Sequence, residues 1–212
     1  SIVAAMRDPL LAPFAGPHGG VPPFTAIKPA HWRPALRQGM DLQRAEIAAI
    51  VEDPAPPTFE NTIEALEDAG RPLGRAITLL GIYTTTMNDA AMQALEQEIA
   101  PVLAAFHDEI IQNTRLFARI QAVHDGRKRA KLAPDQRRQL EVVYRIFARR
   151  GAALSPKKKA RLAKINQRLA SLYTTFGQNL LADEERQSVT LGREADLAGL
   201  PEALRRSARA AA

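Results

Sequence analysis

Apolar residues recur at helical spacing through almost the whole of this 212-residue chain, and no other feature restricts its fold as strongly. The cleanest run is Leu162, Ile165, Leu169, Leu172, Phe176 and Leu180, spaced by steps of 3, 4, 3, 4 and 4. Steps of that size align side chains along one stripe of a helix, whereas a strand alternates with a period of about 2. The same spacing joins Trp32, Leu36, Met40, Ile47, Ile50 and Val51, then Ile63, Leu66, Leu73, Ile77, Leu80 and Tyr83, then Met92, Leu95, Ile99, Val102, Leu103, Phe106 and Ile110. Leu116, Phe117, Ile120 and Val123 form a shorter run, and Leu140, Val143, Ile146 and Phe147 another. The fold class expected is all-α, a multi-helix domain with little or no strand.

Punctuation residues divide these runs. The Pro54–Pro57 cluster stops the first helix. Thr58 and Asn61 are both N-cap candidates, with Asn61 three residues before Glu64 in a capping-box pattern. Gly70 and Pro72 read as a bend, so one long kinked helix is expected over 59–86. Asn88 or Asp89 caps the next helix, inside which Pro101 falls. Gly126 ends the short helix, and Pro134 takes a first-turn position. Gly151 reads as a C′ glycine, and Ser155-Pro156 as an N-cap followed by an N1 proline. The short link Gly151–Leu154 joins the helices on either side as an antiparallel hairpin.

Residues 1–29 are rich in Pro and Gly but also hold Leu10, Leu11, Phe14 and Phe24. An extended arm lying across a helical body, 30–183, is expected. Residues 184–212 begin a further segment, with a strand candidate at Gln187–Leu191 and a helix starting near Pro201. That helix reaches Ala210-Ala211-Ala212 without a stop signal, so the chain is expected to continue.

The chain is 46% hydrophobic, 25% charged and 5% aromatic, a globular composition that excludes long disorder and collagen-like repeats. It has no Cys, which removes thiol nucleophiles, Cys-ligated zinc and iron–sulfur clusters. The longest apolar stretch, Ala76–Tyr83, is far short of the roughly 20 residues of a membrane span. Ser1–Met6 lacks the basic and apolar regions of a signal peptide, and a cytoplasmic location is expected.

Chemistry is hard to find. The four histidines are His18, His31, His107 and His124. A helical zinc-hydrolase motif needs two His four residues apart with an adjacent Glu. His107 is followed by Asp108 and Glu109, but Ile111 stands where the second His would be. Ser1, Ser155, Ser171, Ser188 and Ser207 include no nucleophile elbow. Gly16–Gly20 lacks the Lys and the helix start of a phosphate loop. Glu60, Glu64 and Glu67 share a helical face, where acids near an N-terminus complement the helix dipole. No catalytic, cofactor-binding or metal-ligating residue is assigned.

Charge is uneven. The net +6 divides into 15 Lys/Arg against Asp135 and Glu141 over Arg127–Arg168, a net of +13, and −7 for the remainder. Such a patch attracts phosphates, so a helical module binding an anionic partner, nucleic acid, through 127–168 is one reading. Its weakness is a lack of stacking aromatics, because Tyr144 and Phe147 lie on or beside the apolar stripe.

Specific strings point elsewhere. PPFTAIKPAHWRPAL (22–36), RAEIAAI (44–50), PTFENTIEALE (57–67), NTRLFARI (113–120), FARRGAAL (147–154), INQRLASLYTTFGQNLL (165–181) and DLAGLP (196–201) occur in order. Together they resemble the opening of the thimet oligopeptidase family of zinc metallopeptidases, and within it the peptidyl-dipeptidase branch. The resemblance implies two largely helical lobes flanking a channel that admits short peptides. It implies zinc held by an H-E-x-x-H motif and a third ligand, Glu, far downstream of this segment. The segment in hand would then be an amino-terminal channel wall, inactive alone, whose partners are peptide substrates and a C-terminal catalytic lobe. Helices that pack on that lobe would expose apolar surface here.

Overall fold

The computed structural model describes residues 8–15, 20–187 and 191–211. Among these there is no strand, and the all-α expectation holds. Two compact units divide the chain, 1–175 and 176–212.

In the first unit, α1 spans Pro29–Glu52. A π-helical turn Phe59–Glu64 runs on as Ala65–Asp68, together α2. Then follow α3 (Arg71–Thr86), α4 (Ala90–Ile111), α5 (Thr114–Gly126) and α6 (Pro134–Arg149). The long α7 (Pro156–Arg186) begins in this unit and continues into the second.

Helix α1 organises two cores. Its first half sets Trp32, Leu36 and Met40 against Leu73, Leu79 and Tyr83 of α3 and Met92, Leu95, Ile99 and Phe106 of α4. Its second half sets Ile47 and Ile50 against Phe59 and Ile63 of α2, Leu116 and Ile120 of α5, and Leu140 and Phe147 of α6. The crossing of α1 and α3 is close because Gly39 has no side chain: a Cβ there would lie 3.1 Å from the Leu73 backbone. Leu10 and Leu11 are both fully buried in the first core. Arg75 donates to the Leu11 carbonyl. Phe24 stays partly exposed, stacks on Tyr83 and accepts the Tyr83 hydroxyl at its carbonyl (3.1 Å).

Two sequence expectations need correction. The single helix over 59–86 is instead two, because Gly70 adopts a left-handed conformation (φ +82°) and ends the first. Its N–H donates to Glu46 of α1 (2.6 Å), and Pro72 opens α3 in its first turn, where a missing N–H loses nothing. The capping box is also shifted. Thr58 Oγ1 accepts the Asn61 N–H (3.2 Å), and Asn61 Oδ1 accepts the Thr58 N–H (2.7 Å), so Asn61 is the reciprocal partner and not the cap. Gly70→Ala should destabilise the chain by about 1–2 kcal/mol, through left-handed strain and a Cβ directed at the Gln43 side chain. A urea melt with unchanged slope would report it.

Other signals read true. Asp89 caps α4, accepting the Met92 N–H (2.8 Å). Helix α5 ends at Gly126, and its cap is Asn113, a residue not singled out by the sequence, which accepts the Leu116 N–H (3.0 Å). Pro134 opens α6, and Gly151 (φ +99°) closes it with a Schellman pair, Ala152 N–H to the Phe147 carbonyl (3.0 Å) and Gly151 N–H to the Ala148 carbonyl (3.4 Å). Pro101 sits within α4 without ending it. Helices α6 and α7 follow one another across the Gly151 turn, but the helix packed most closely on α6 is α5.

The second unit holds the end of α7, a 3-10 turn Glu194–Leu197 and α8 (Glu202–Ala211). Arg205 ties these together by donating to Glu194 (2.9 Å) and to the Leu197 carbonyl (2.5 Å). The strand candidate at Gln187–Leu191 falls largely on 188–190, outside the described residues.

Candidate functional site

The strongest feature of the surface is the stripe with the most regular helical spacing in the sequence. Among the described residues none of α7 joins either core. In the first unit Ile165, Leu169, Leu172 and Tyr173 are 42–71% exposed. In the second unit Phe176, at 69%, Leu180 and Leu181 are exposed apolar side chains. An amphipathic helix gains most of its stability by burying such a face, and a contiguous exposed apolar patch marks an interaction site. The helical run Leu162 to Leu180 leaves out Tyr173 and Leu181, each of which follows directly on one of its members.

Two polar side chains of α7, Lys159 and Asn166, fasten it to α4 and α5 in the first unit. Asn166 Nδ2 donates to both oxygens of the buried Asp108 of α4 (2.7 and 3.0 Å). Lys159 Nζ donates to the Gln112 carbonyl (2.7 Å) and to Thr114 Oγ1 (2.9 Å) at the junction of α4 and α5. A cation at that place satisfies a carbonyl left free by the end of α4. Beside these ties Ile165, Leu169, Leu172 and Tyr173 remain exposed.

The chemistry-bearing residues are dispersed. His31 Nδ1 accepts the Lys28 N–H (3.2 Å) at the start of α1. His124 stacks on Tyr144 with ring centroids 3.9 Å apart. His107 meets Arg150 (2.5 Å from Nε2), and His18 lies outside the described residues. Glu60, Glu64 and Glu67 are all exposed. The Ser171 hydroxyl donates to the Gln167 carbonyl of its own helix (3.2 Å), and the Ser155 carbonyl accepts the Lys159 N–H (2.9 Å). Ser207 is exposed on α8, while Ser1 and Ser188 lie outside the described residues. Gly20 (φ +100°) is a turn residue packed on the Phe14 backbone, and 16–19 are not described. Among the described residues no three His, Cys, Asp or Glu side chains converge on a metal-sized site, so no step through zinc is derived for these residues. Tyr144, the aromatic nearest the basic stretch, is stacked between Phe117 and His124 and is not free to receive a base.

The first unit is thus an all-α body whose last helix leaves apolar side chains exposed. The chain is 36% identical over 190 residues to the dipeptidyl carboxypeptidase of Escherichia coli, a match covering 90% of this chain and 27% of that protein. It is 36% identical over 207 residues to the dipeptidyl carboxypeptidase of Salmonella typhimurium, covering 97% of this chain and 30% of the relative. Oligopeptidase A of Salmonella typhimurium is 28% identical over 207 residues, again with 98% of this chain and 30% of the relative matched. No family model matches the chain. The chain is thus homologous, over nearly its whole length, to members of the thimet oligopeptidase family, and it spans about 30% of the length of the curated relatives it matches.

Proposed function

We propose that this chain is the amino-terminal helical part of a zinc-dependent peptidase that acts on short peptides in the cytoplasm, and that it walls the substrate channel without performing the chemistry. The observation that carries this reading is the match of nearly the whole chain to about 30% of its peptidase relatives. The exposed stripe of α7 supports it, since a wall helix needs an apolar seat for the rest of the enzyme. Higher identity to the dipeptidyl carboxypeptidases than to oligopeptidase A, 36% against 28%, favours release of C-terminal dipeptides.

The complete reading frame tests this directly. It is expected to encode H-E-x-x-H downstream of Ala212, and its product should release dipeptides from a blocked-amino-terminus tetrapeptide in an EDTA-sensitive manner. The 212-residue chain alone should cleave nothing under the same conditions. A reading frame without that motif, or EDTA-sensitive cleavage by the 212 residues alone, overturns the proposal.

A further inference from the structure

Two arginines at the end of α6 line a cavity whose one carboxylate, Asp108, pairs with neither of them. The cavity, about 360 Å3, lies where α4, α6 and α7 meet and is lined by His107, Asp108, Arg149, Arg150, Leu162 and Asn166, with Ala104 at its floor. The Schellman turn at Gly151 closes α6 immediately after Arg149 and Arg150 and so fixes their backbone at the rim.

The partners of these groups are unusual. Arg150 Nη1 donates to Nε2 of His107 across 2.5 Å, so that imidazole nitrogen is an acceptor and brings no proton of its own. Burial, and then the charge of Arg150, hold His107 below the ordinary imidazole range, with Asp108 opposing. Arg150 therefore spends one donor on a neutral ring and keeps its full positive charge. Asp108, the one carboxylate lining the cavity, is buried, and both of its oxygens accept from the Asn166 amide. It forms no ion pair with Arg149 or Arg150.

Some arginines of this chain pair with carboxylates, Arg33 with Glu98, Arg44 with Glu109 and Arg119 with Asp53. Among the described residues Arg149 and Arg150 have no ion-pair partner. Guanidinium groups offer donors in a planar fork matched to the paired oxygens of carboxylate or phosphate. We propose that this cavity is an oxyanion-binding site, in which Arg149 and Arg150 hold a peptide carboxylate or a phosphate and Leu162 packs against the body of the ligand. This site does not depend on the peptidase reading, because its groups belong to this chain alone.

The test is a titration of the purified chain with three probes at about 150 mM salt, followed by amide NMR shifts at Gly151 and Ala152. The probes are inorganic phosphate, the tripeptide Ala-Ala-Leu with a free carboxylate, and the same tripeptide amidated. Saturable shifts with phosphate or with the free acid, and none with the amide, are expected. Saturation by the free acid alone identifies a peptide carboxylate as the ligand, by phosphate alone a phosphate, and by both a general oxyanion site. Arg149→Gln and Arg150→Gln should each weaken the binding by about tenfold or more. Arg149→Gln leaves the His107 contact untouched, so its effect does not depend on that hydrogen bond. The proposal falls if neither the phosphate nor the free acid saturates, if the amide binds as well as the acid, or if both variants bind like the parent chain.

Discussion

Replacing Trp32 by Ala is expected to destabilise the first unit by about 3–5 kcal/mol, the largest single effect on stability among the side chains considered. Trp32 is 1% exposed and belongs to the core that joins the arm, α1, α3 and α4. Its indole meets the Tyr83 ring edge-on with centroids 5.2 Å apart, and Tyr83 in turn holds Phe24 by ring stacking and by its hydroxyl. Loss of the indole therefore opens a cavity and loosens the seat of the arm together. A chain of this size shifts its melting temperature by roughly 2–4 °C per kcal/mol, so a drop of about 10 °C in a calorimetric scan is the expected reading. Trp32→Phe should recover part of it, because an aromatic ring remains to face Tyr83. A melting temperature within about 2 °C of the parent would show that Trp32 is not the keystone described.

The second large effect is on function and not on stability. Leu169→Glu combined with Leu172→Glu places two carboxylates on the exposed stripe of α7. In the 212-residue chain both side chains are more than 40% exposed, so the change should leave the melting curve within about 0.5 kcal/mol of the parent. In the full-length protein the same stripe is proposed to be covered. Burying two unpaired carboxylates there is strongly unfavourable. Peptidase activity of the full-length double variant is expected to fall at least tenfold, with greater sensitivity to limited proteolysis near α7. Full activity with an unchanged proteolysis pattern would mean that this face stays open in the whole enzyme and that its exposure has another cause.

The two substitutions separate what local pattern reveals from what it hides. Trp32 and Leu169 both sit in clean helical stripes, and spacing alone treats them alike. One is buried and the other is not, because burial depends on which helices pass nearby. Spacing within one helix carries no information about those neighbours. Gly70 shows the same limit at the level of an element boundary. A glycine followed closely by a proline fits both a bend and a full stop, and the choice was made by the contact of its N–H with Glu46 on α1. The shifted capping box is a smaller case, in which two polar residues three apart could each serve as the cap.

Caps and ends with strong local chemistry were legible directly. Asp89 lies ahead of an apolar period and caps it, and Gly151 takes the left-handed backbone that a side chain would strain. The family kinship was legible too, since it is written in ordered strings and needs no coordinates. The oxyanion cavity was not legible. His107, Arg150 and Asn166 come from three helices, and only their packing sets an imidazole against a guanidinium and an amide against a carboxylate.

Periodicity and caps in the sequence by themselves determined an all-α chain, its main helices and its relatives, because those depend on neighbours a few residues apart. Only the tertiary structure decided that α1 serves two cores, that Gly70 breaks a helix, that the stripe of α7 stays uncovered and that Arg149 and Arg150 remain without carboxylates. Each of these is set by groups distant in sequence, and the free energy that selects among such arrangements is a sum over contacts that no local pattern contains.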